Sequence, residues 1–405
     1  MTIDHDYMRR KNLSLVFNTM RMSTELYTKR ELQKSTELGW ATISKSINEL
    51  ETKEFITEVD ETADETSVTD VGRPAKKYDI NSKKNLIIGI DINVDVIQAV
   101  VIDAKCRVLY SKNTMIFEPE RDSILSAVKI IIKEALTEFG GDKTMFLGIG
   151  LSLMSVVDAK NGIAVYSQHV KNWKNINIKQ IFEDEFELPV LIEHDPNCYA
   201  IAEMNVGIGR DYKNICFLRL FFGIGMSLIV NGEIYKGNAG TACEFGHMCM
   251  DINGPYCSCG NRGCIETYAS ISGIAARYRE EANKTPGYRG ISDRTADSDM
   301  AIMQKLSRAA KNGEELAQSY FENAAKMLGM SIGNLITLMN PDIVIIGGAF
   351  SEYYSLYLDK IIEIAKKTCW SYSEVNIKSS LLESNAAAIG AAALFIQKRI
   401  WENVL

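Results

Sequence analysis

The chain has 405 residues, of which 46% are hydrophobic and 24% are charged. This balance is typical of a globular protein and excludes a disordered or fibrous chain. The length exceeds what one ordinary core accommodates, so we expect a small module followed by a larger domain of two lobes. The formal net charge of −7 excludes a protein that is basic as a whole, and any contact with DNA must therefore be local.

The compartment follows from the apolar runs and the cysteines. Residues 1–12 lack the apolar stretch of a signal peptide, and the most apolar run, 217–230, is interrupted by Arg219 and is too short to span a bilayer. Three of the nine cysteines crowd within 257–264, a spacing that favours metal ligation over disulfides. We therefore expect a cytoplasmic protein that uses no membrane.

Residues 8–56 have the pattern of three short helices. The spacing of Thr28 and Glu31 predicts a capping box at the start of the second helix, and Gly39 lies where a turn to the third is needed. After Phe55 the pattern changes to two short strands around an acidic loop, which predicts a wing. The apolar residues that recur at helical spacing and form the predicted core are Leu13, Val16, Phe17, Met20, Ile43, Ile47 and Leu50.

This module has the residues of a winged helix-turn-helix that reads DNA. Small polar and basic side chains at the start of the third helix are suited to base edges in the major groove. Basic residues before the first and second helices are suited to phosphates, and Arg73 in Gly72-Arg73-Pro74 is suited to a narrow minor groove. A helical interaction module with a solvated charged face is the alternative, which the acidic wing favours. The predicted DNA-binding residues are Lys29, Arg30, Thr42, Ser44, Lys45, Asn48 and Arg73.

A different rhythm starts at Asn85. Three strand-like segments follow one another over 86–117, and a similar group recurs over 214–237, each followed by helical segments. The repetition predicts a duplicated lobe with a cleft between the copies, and an ordinary large α/β domain is the alternative. We place the DNA-binding module at 1–84 and the second domain at 85–405. Its lobes are expected at 85–195 with 385–405, and at 196–384.

A cysteine-rich segment is the most specific signal in the sequence. Cys257, Cys259, Cys264 and His247 supply three thiolates and one imidazole, a closed ligand set for one structural zinc ion. Gly260 and Gly263 permit a tight fold around the metal. The alternative, cysteines buried as small hydrophobic residues, is disfavoured because the intervening residues are polar and turn-forming.

Two carboxylates flank this cluster. Glu244 and Glu266 are not needed as metal ligands and are suited to accept hydrogen bonds from sugar hydroxyls. His247 is suited to offer its second ring nitrogen to the same ligand. Solvated surface acids are the alternative interpretation.

Taken together, these motifs resemble the ROK family of repressors and sugar kinases, and in particular its xylose-repressor-like and N-acetylglucosamine-repressor-like members. The resemblance covers nearly the whole chain and implies an α/β protein in which an actin-like, hexokinase-like (ribonuclease-H-like) two-lobed domain follows the helix-turn-helix. It also implies a sugar held between the lobes, in dimers or tetramers. The motifs that carry it are 72–74, 89–92, 148–150, 193–197, 244–247, 257–266 and 345–349.

The resemblance assigns further residues to the sugar site. In the family's kinases the position of Asp195 is the general base, and the residue before it, here His194, is commonly asparagine. The predicted sugar-binding residues are therefore His194, Asp195, Glu244, His247 and Glu266. Because a carboxylate at Asp195 suits both catalysis and sensing, it does not decide between them.

The phosphate-binding segments depart from those of the kinases. The sequence has Asn93-Val94-Asp95 where the kinases carry glycine-glycine-threonine, and a carboxylate there repels nucleotide phosphates. Bulky residues fill the second loop, 221–225, and Met154-Ser155 replaces a common proline-glycine pair. We therefore expect no enzyme activity.

The sequence favours a sugar-responsive repressor that binds a double-stranded DNA operator and a small sugar effector as a homodimer or homotetramer. Coupling requires the sugar to prefer one of two arrangements of the protein. The first alternative is an ATP-dependent sugar kinase with a fused DNA-binding head. The second is a repressor that responds only to a partner protein.

Overall fold

The computed structural model describes residues 5–59, 75–167, 169–238, 240–284, 297–348 and 353–396. The chain divides into two compact units. The first comprises Met1–Asn205 with Ser384–Leu405, and the second comprises Val206–Glu383. The predicted boundaries of the DNA-binding module and of the two lobes stay predictions.

Twelve helices of four or more residues lie in the described part of the chain, and their order agrees with the predicted alternation. Within that part, none is long and apolar enough to cross a membrane. The helices are α1 His5–Arg21, α2 Lys29–Thr36, α3 Trp40–Thr52, α4 Arg121–Glu138, α5 Ile178–Phe186, α6 Asp195–Val206, α7 Glu266–Ala269, α8 Ile271–Lys284, α9 Asp299–Lys311, α10 Glu315–Met339, α11 Leu358–Thr368 and α12 Ala386–Phe395.

The strands in the described residues form four sheets. Their bounds are β1 Tyr27–Thr28, β2 Ile56–Val59, β3 Lys77–Ile80, β4 Leu86–Ile92, β5 Val96–Ile102, β6 Val108–Met115, β7 Phe146–Leu153, β8 Val156–Asp158, β9 Ile163–Tyr166, β10 Lys174–Asn177, β11 Val190–His194, β12 Ile215–Leu220, β13 Ile224–Val230, β14 Glu233–Ile234, β15 Ile343–Gly348 and β16 Ile377–Ser379.

The N-terminal module contains the three predicted helices, whose apolar residues form its core. Every predicted core position is at most 1% exposed, and the rings of Phe17 and Phe55 meet edge to face with centroids 5.6 Å apart. The predicted capping box is confirmed, because the Thr28 hydroxyl accepts from the amide of Glu31 and the Glu31 carboxylate accepts from the amide of Thr28. Strands β2 and β3 pair antiparallel as the wing requires, and β1 extends this sheet on the other edge of β3.

The two five-stranded sheets have the same arrangement of parallel and antiparallel neighbours around their central strand. In the first sheet, ordered β11-β7-β4-β5-β6, strand β4 pairs parallel with β7 and antiparallel with β5. In the second, ordered β14-β13-β12-β15-β16, strand β12 pairs parallel with β15 and antiparallel with β13. Strands β4 and β12 are buried at every residue, as expected of central strands covered on both faces. The repeated strand rhythm of the sequence is therefore a repeated sheet topology.

Helix α12 closes the first unit by lying directly on backbone atoms. A Cβ atom at position 150 in β7 would lie 2.0 Å from the carbonyl oxygen of Ala391, and one at position 390 would lie 1.7 Å from that of Cys198 in α6. Only glycine permits these approaches. All ten residues of α12 are buried, and most of them are alanine, so the helix fits between α6 and the sheet.

Gly150→Ala is expected to destabilise the protein, because the added methyl group overlaps backbone that no side-chain rotation can move. Overpacking of this kind costs about 1–3 kcal/mol. For units of this size, each kcal/mol lowers the midpoint of thermal unfolding by about 2–4 °C. Differential scanning calorimetry of the variant and the wild type provides the measurement. Equal midpoints would contradict the close contact between β7 and α12.

Candidate functional site

The predicted metal ligands come from three neighbouring segments of the second unit. His247 ends a short 3-10 helix, Phe245–His247, Cys257 and Cys259 lie in the following loop, and Cys264 lies just before α7. One ligand atom from each of the four residues lies within 4.8 Å of the ligand atoms of the others. The fold therefore assembles the whole predicted ligand set.

The distances between the ligand atoms are short enough for all four to bind one metal cation. The Sγ atom of Cys257 is 3.6 Å from Nδ1 of His247, and the Sγ atoms of Cys259 and Cys264 are 3.7 Å apart. Burial, followed by contact with the neighbouring thiols, raises the pKa of Cys264 to about 12. Three sulfur atoms and an imidazole nitrogen are a donor set typical of zinc and other thiophilic metals.

Backbone hydrogen bonds fix the loop around these ligands. The amide of Cys257 donates to the carbonyl of Asn261, and the amide of Met250 donates to the carbonyl of Gly263. At Gly263 φ is +65°, and a Cβ atom there would lie 1.7 Å from the carbonyl oxygen of Asp251. The tight turn expected from the glycines is therefore present at Gly263.

Of the two flanking carboxylates, Glu266 is built into the cluster and Glu244 is exposed. One oxygen of Glu266 is 3.9 Å from Sγ of Cys257. Its other oxygen accepts from the backbone amide of Ile224 at 3.0 Å. A single carboxylate thus joins the metal-ligand loop to the loop at 221–225.

His194 and Asp195 belong to the first unit. His194 ends β11, and Asp195 is the first residue of α6, with 2% of its surface exposed. Nε2 of His194 lies 3.3 Å from the Asp195 carboxylate. Because β11 runs parallel to β7, Asp195 lies at the carboxyl edge of the sheet, where open α/β sheets bind ligands.

Asn93 follows β4 at the same edge, in the segment 93–95 that is predicted not to bind phosphate. Its side-chain amide donates to the buried carboxylate of Asp91 at 2.6 Å, and the hydroxyl of Ser152 donates to the other oxygen of Asp91 at 2.6 Å. The Asn93 amide is therefore engaged in the protein interior.

Aromatic rings occupy the second altered loop. The rings of Phe221 and Phe222 meet edge to face at 4.8 Å, and the guanidinium of Arg219 lies 4.8 Å from the centre of the Phe221 ring. The amide of Phe221 donates to the carbonyl of Gly223. Side chains and backbone groups of this loop therefore contact one another.

The predicted DNA-binding residues of α2 and α3 differ in exposure. Arg30, Lys45 and Asn48 are exposed, and Thr42 and Ser44 are half-buried. Lys29 and Asn48 are brought together, with Nζ 3.4 Å from the Asn48 side-chain oxygen. Arg73, Gly72 and Pro74 lie outside the described residues.

Trp40, at the start of α3, is a candidate functional residue that the sequence patterns did not predict. Its side chain is 54% exposed, which is unusual for so large an apolar group. An exposed tryptophan just after a glycine turn is the signal that identifies it. It lines an open groove together with Thr28, Lys29, Arg30, Gln33, Ala75, Lys76 and Tyr78.

The prediction that Arg9 and Arg10 precede the first helix is wrong, because α1 already begins at His5, and both arginines are paired. Arg9 forms ion pairs with Glu49 of α3 and with Asp6, and Arg10 forms one with Asp6. Arg9 thereby joins α1 to α3, whereas Arg10 is paired within α1, and both neutralise neighbouring acids. They are therefore less suited to hold phosphates than Lys45.

Known proteins resemble this chain in sequence and in fold. The ROK family model matches residues 87–398. A xylose repressor from Caldicellulosiruptor bescii is 25% identical over 397 residues, which are 97% of each chain. A crystal structure of a ROK family transcriptional regulator, a homologue of the Escherichia coli MLC protein, matches with a TM-score of 0.79 and 24% identity over 96% of each chain.

A ROK family glucokinase from Streptomyces griseus, solved with glucose and AMPPNP, also matches. Its TM-score is 0.64 and its identity is 27%, over 77% of this chain and 100% of the glucokinase. These matches confirm the predicted fold class, an α/β protein with an actin-like, sugar-kinase-like domain.

We expect the cluster of His247 and the three cysteines to bind one cobalt(II) ion per chain. Thiolate ligands should then give intense near-ultraviolet charge-transfer absorption, because they donate electron density to the metal. Cys259→Ser removes one thiolate and should weaken this absorption, whereas Cys369→Ser, in a cysteine outside the cluster, should leave it unchanged. Identical spectra for wild type and Cys259→Ser would contradict the assigned ligand set.

Proposed function

Because this chain belongs to the ROK family, whose model matches residues 87–398, we propose that it is a sugar-responsive transcriptional repressor of carbohydrate-utilisation genes. The observation that carries the proposal is the match along nearly the whole chain, N-terminal module included, to a xylose repressor and to a ROK regulator. The glucokinase aligns with only 77% of the chain. A DNA-binding head joined to a sugar-kinase-like domain suits a regulator that reads both an operator and a sugar.

The proposed DNA-reading surface is the exposed part of α2 and α3. We propose that Lys45 and Asn48 of α3 contact base edges and phosphates. Lys29 and Arg30 of α2 are proposed to contact the sugar-phosphate backbone of the duplex. Thr42, Ser44 and Arg73 stay predicted contacts. Trp40 adds an apolar surface at the start of α3.

The proposed effector is a sugar bound by His194, Asp195, Glu244, His247 and Glu266. Asp195 supports this proposal because it is a buried carboxylate at the ligand-binding edge of the first sheet. D-xylose is the first sugar to test, because it is the sugar named in the relative's description. The sugar contacts themselves are predictions.

We propose that the protein senses sugar without phosphorylating it. Asn93 is held by Asp91 in the segment where the kinases bind phosphate, and phenylalanines fill the second loop. The likeness to the glucokinase favours an ATP-dependent sugar kinase as the second candidate. An ADP-release assay with a panel of sugars separates the two, since only the kinase forms ADP in proportion to sugar.

We further propose that the metal held by His247, Cys257, Cys259 and Cys264 is a structural zinc ion, one per chain. Four protein ligands leave no position open for a reacting water, so the ion would stabilise the loop rather than act in hydrolysis. Elemental analysis of protein never exposed to a chelator identifies the metal. The assembly in solution is proposed to be a homodimer or homotetramer.

Lys45→Ala is expected to weaken operator binding by roughly ten-fold while leaving sugar affinity unchanged, because Lys45 is exposed on the DNA-reading surface of the N-terminal module. The operator is first selected from a genomic library, and binding is followed by fluorescence anisotropy at matched salt. Lys326→Ala, in an exposed lysine of α10, is the control and should bind like the wild type. Equal operator affinity of Lys45→Ala and the control would count against the proposed surface.

Asp195→Asn is expected to lower sugar affinity by about ten-fold or more, because it keeps the shape but removes the charge and replaces one acceptor by a donor. Calorimetric titration with D-xylose and other sugars measures the change. Asp211→Asn, in an exposed loop, serves as the control for loss of a carboxylate. Unchanged affinity in Asp195→Asn, or sugar phosphate formed at a rate that depends on Asp195, would overturn the proposed sensing role.

A further inference from the structure

A hydrogen bond between side chains joins the N-terminal module to the helix that carries Asp195. Arg21, the last residue of α1, donates through Nη1 to the side-chain oxygen of Asn205 at 2.7 Å. These residues are 184 positions apart in the chain. A guanidinium donor makes this bond stronger and more directional than one between neutral groups.

Both partners are oriented by their own helices. The side-chain amide of Asn205 donates to the carbonyl of Ile201 at 2.7 Å, one turn earlier in α6. Nε of Arg21 donates to the side-chain oxygen of Asn18 at 3.2 Å, in the last turn of α1. Because each side chain is held by its own helix, the bond depends on the relative position of α1 and α6.

Helix α6 is suited to carry a displacement from one end to the other. Asp195 and Asn205 lie ten residues apart on it, which is about 15 Å along a helix axis. Eight of its twelve residues are buried, including Asp195 and Asn205. Close packing of Gly390 on the carbonyl of Cys198 couples the middle of α6 to α12, so a displacement of α6 involves the two helices together.

Helix α1 in turn is fixed to α3, which carries the proposed DNA contacts. Leu13 and Phe17 of α1 pack in the same core as Ile47 of α3. The ion pair between Arg9 and Glu49 joins the other end of α1 to α3. A shift of α1 therefore changes the position of the DNA-reading helix.

We infer that the hydrogen bond between Arg21 and Asn205 is the positioning contact through which sugar binding at the Asp195 end of α6 changes the placement of α1 and α3. This inference rests on the proposed function and names the route of its regulation. Helix shifts of about 1–2 Å are a common form of such transmission. Arg21 and Asn205 touch neither ligand in this scheme, so they act on the coupling and not on binding itself.

The measurement is the ratio of operator dissociation constants with and without saturating D-xylose, taken by fluorescence anisotropy on the full-length protein. Coupling in allosteric proteins typically changes affinity about 5- to 150-fold. In Arg21→Ala and in Asn205→Ala this ratio should approach one. Operator affinity without sugar and sugar affinity without DNA should stay within about three-fold of the wild type.

Three further variants distinguish transmission from a structural role. Asn205→Asp keeps an acceptor oxygen opposite Arg21 and should retain the wild-type ratio. The double variant Arg21→Ala/Asn205→Ala should lose no more coupling than either single variant, because each single substitution already removes the same hydrogen bond. Arg308→Ala, in an exposed arginine of α9, should keep the full ratio.

The outcomes separate this inference from the proposed function. A wild-type protein that binds its operator but shows a ratio of one for every sugar in the panel overturns the proposed sensing, and this inference with it. A responsive wild type whose ratio persists in Arg21→Ala overturns the inference alone. A lower unfolding temperature or weaker operator binding with an unchanged ratio shows a structural bond and also overturns it.

Discussion

The close packing of α12 on the backbone of the first unit is the constraint on which the rest depends. This helix follows the second unit in the chain, yet it contacts the central strands of the first sheet and α6. Glycine and alanine make that approach sterically possible, as at Gly150 and Gly390. Because α6 begins at Asp195, the same packing fixes the carboxylate that we propose to bind sugar.

Two polar centres among the described residues, one in each unit, are stabilised in different ways. In the first unit, the buried carboxylate of Asp91 is satisfied by donors from Ser152 and Asn93. In the second unit, three thiols and an imidazole converge, and such a set is best satisfied by a cation. Glu266 extends this second centre to Ile224, so a metal at the cluster would also stabilise the loop beside it.

In the role that we propose, the sugar-kinase architecture responds to a ligand without transferring phosphate. The carboxyl edge of the first sheet still presents Asp195, while Asn93 is drawn into the interior by Asp91. Loss of phosphate binding, as we propose it, would leave the proposed sugar-binding residues and the helices that surround them in place. The proposed regulation by sugar therefore requires only that sugar binding moves α6 relative to the N-terminal module.

The sequence by itself determined the three N-terminal helices, the two similar groups of strands and the metal-ligand set, because these depend on local periodicity, capping and ligand spacing. The spacing of Cys257, Cys259 and Cys264 with His247 gave the ligand set, and the capping box at Thr28 gave the start of α2. Only the tertiary structure decided which side chains are exposed and which form ion pairs or hydrogen bonds with distant segments. The ion pairs of Arg9, the exposure of Trp40 and the bond from Arg21 to Asn205 arise from contacts between segments far apart in the chain, which no local pattern encodes.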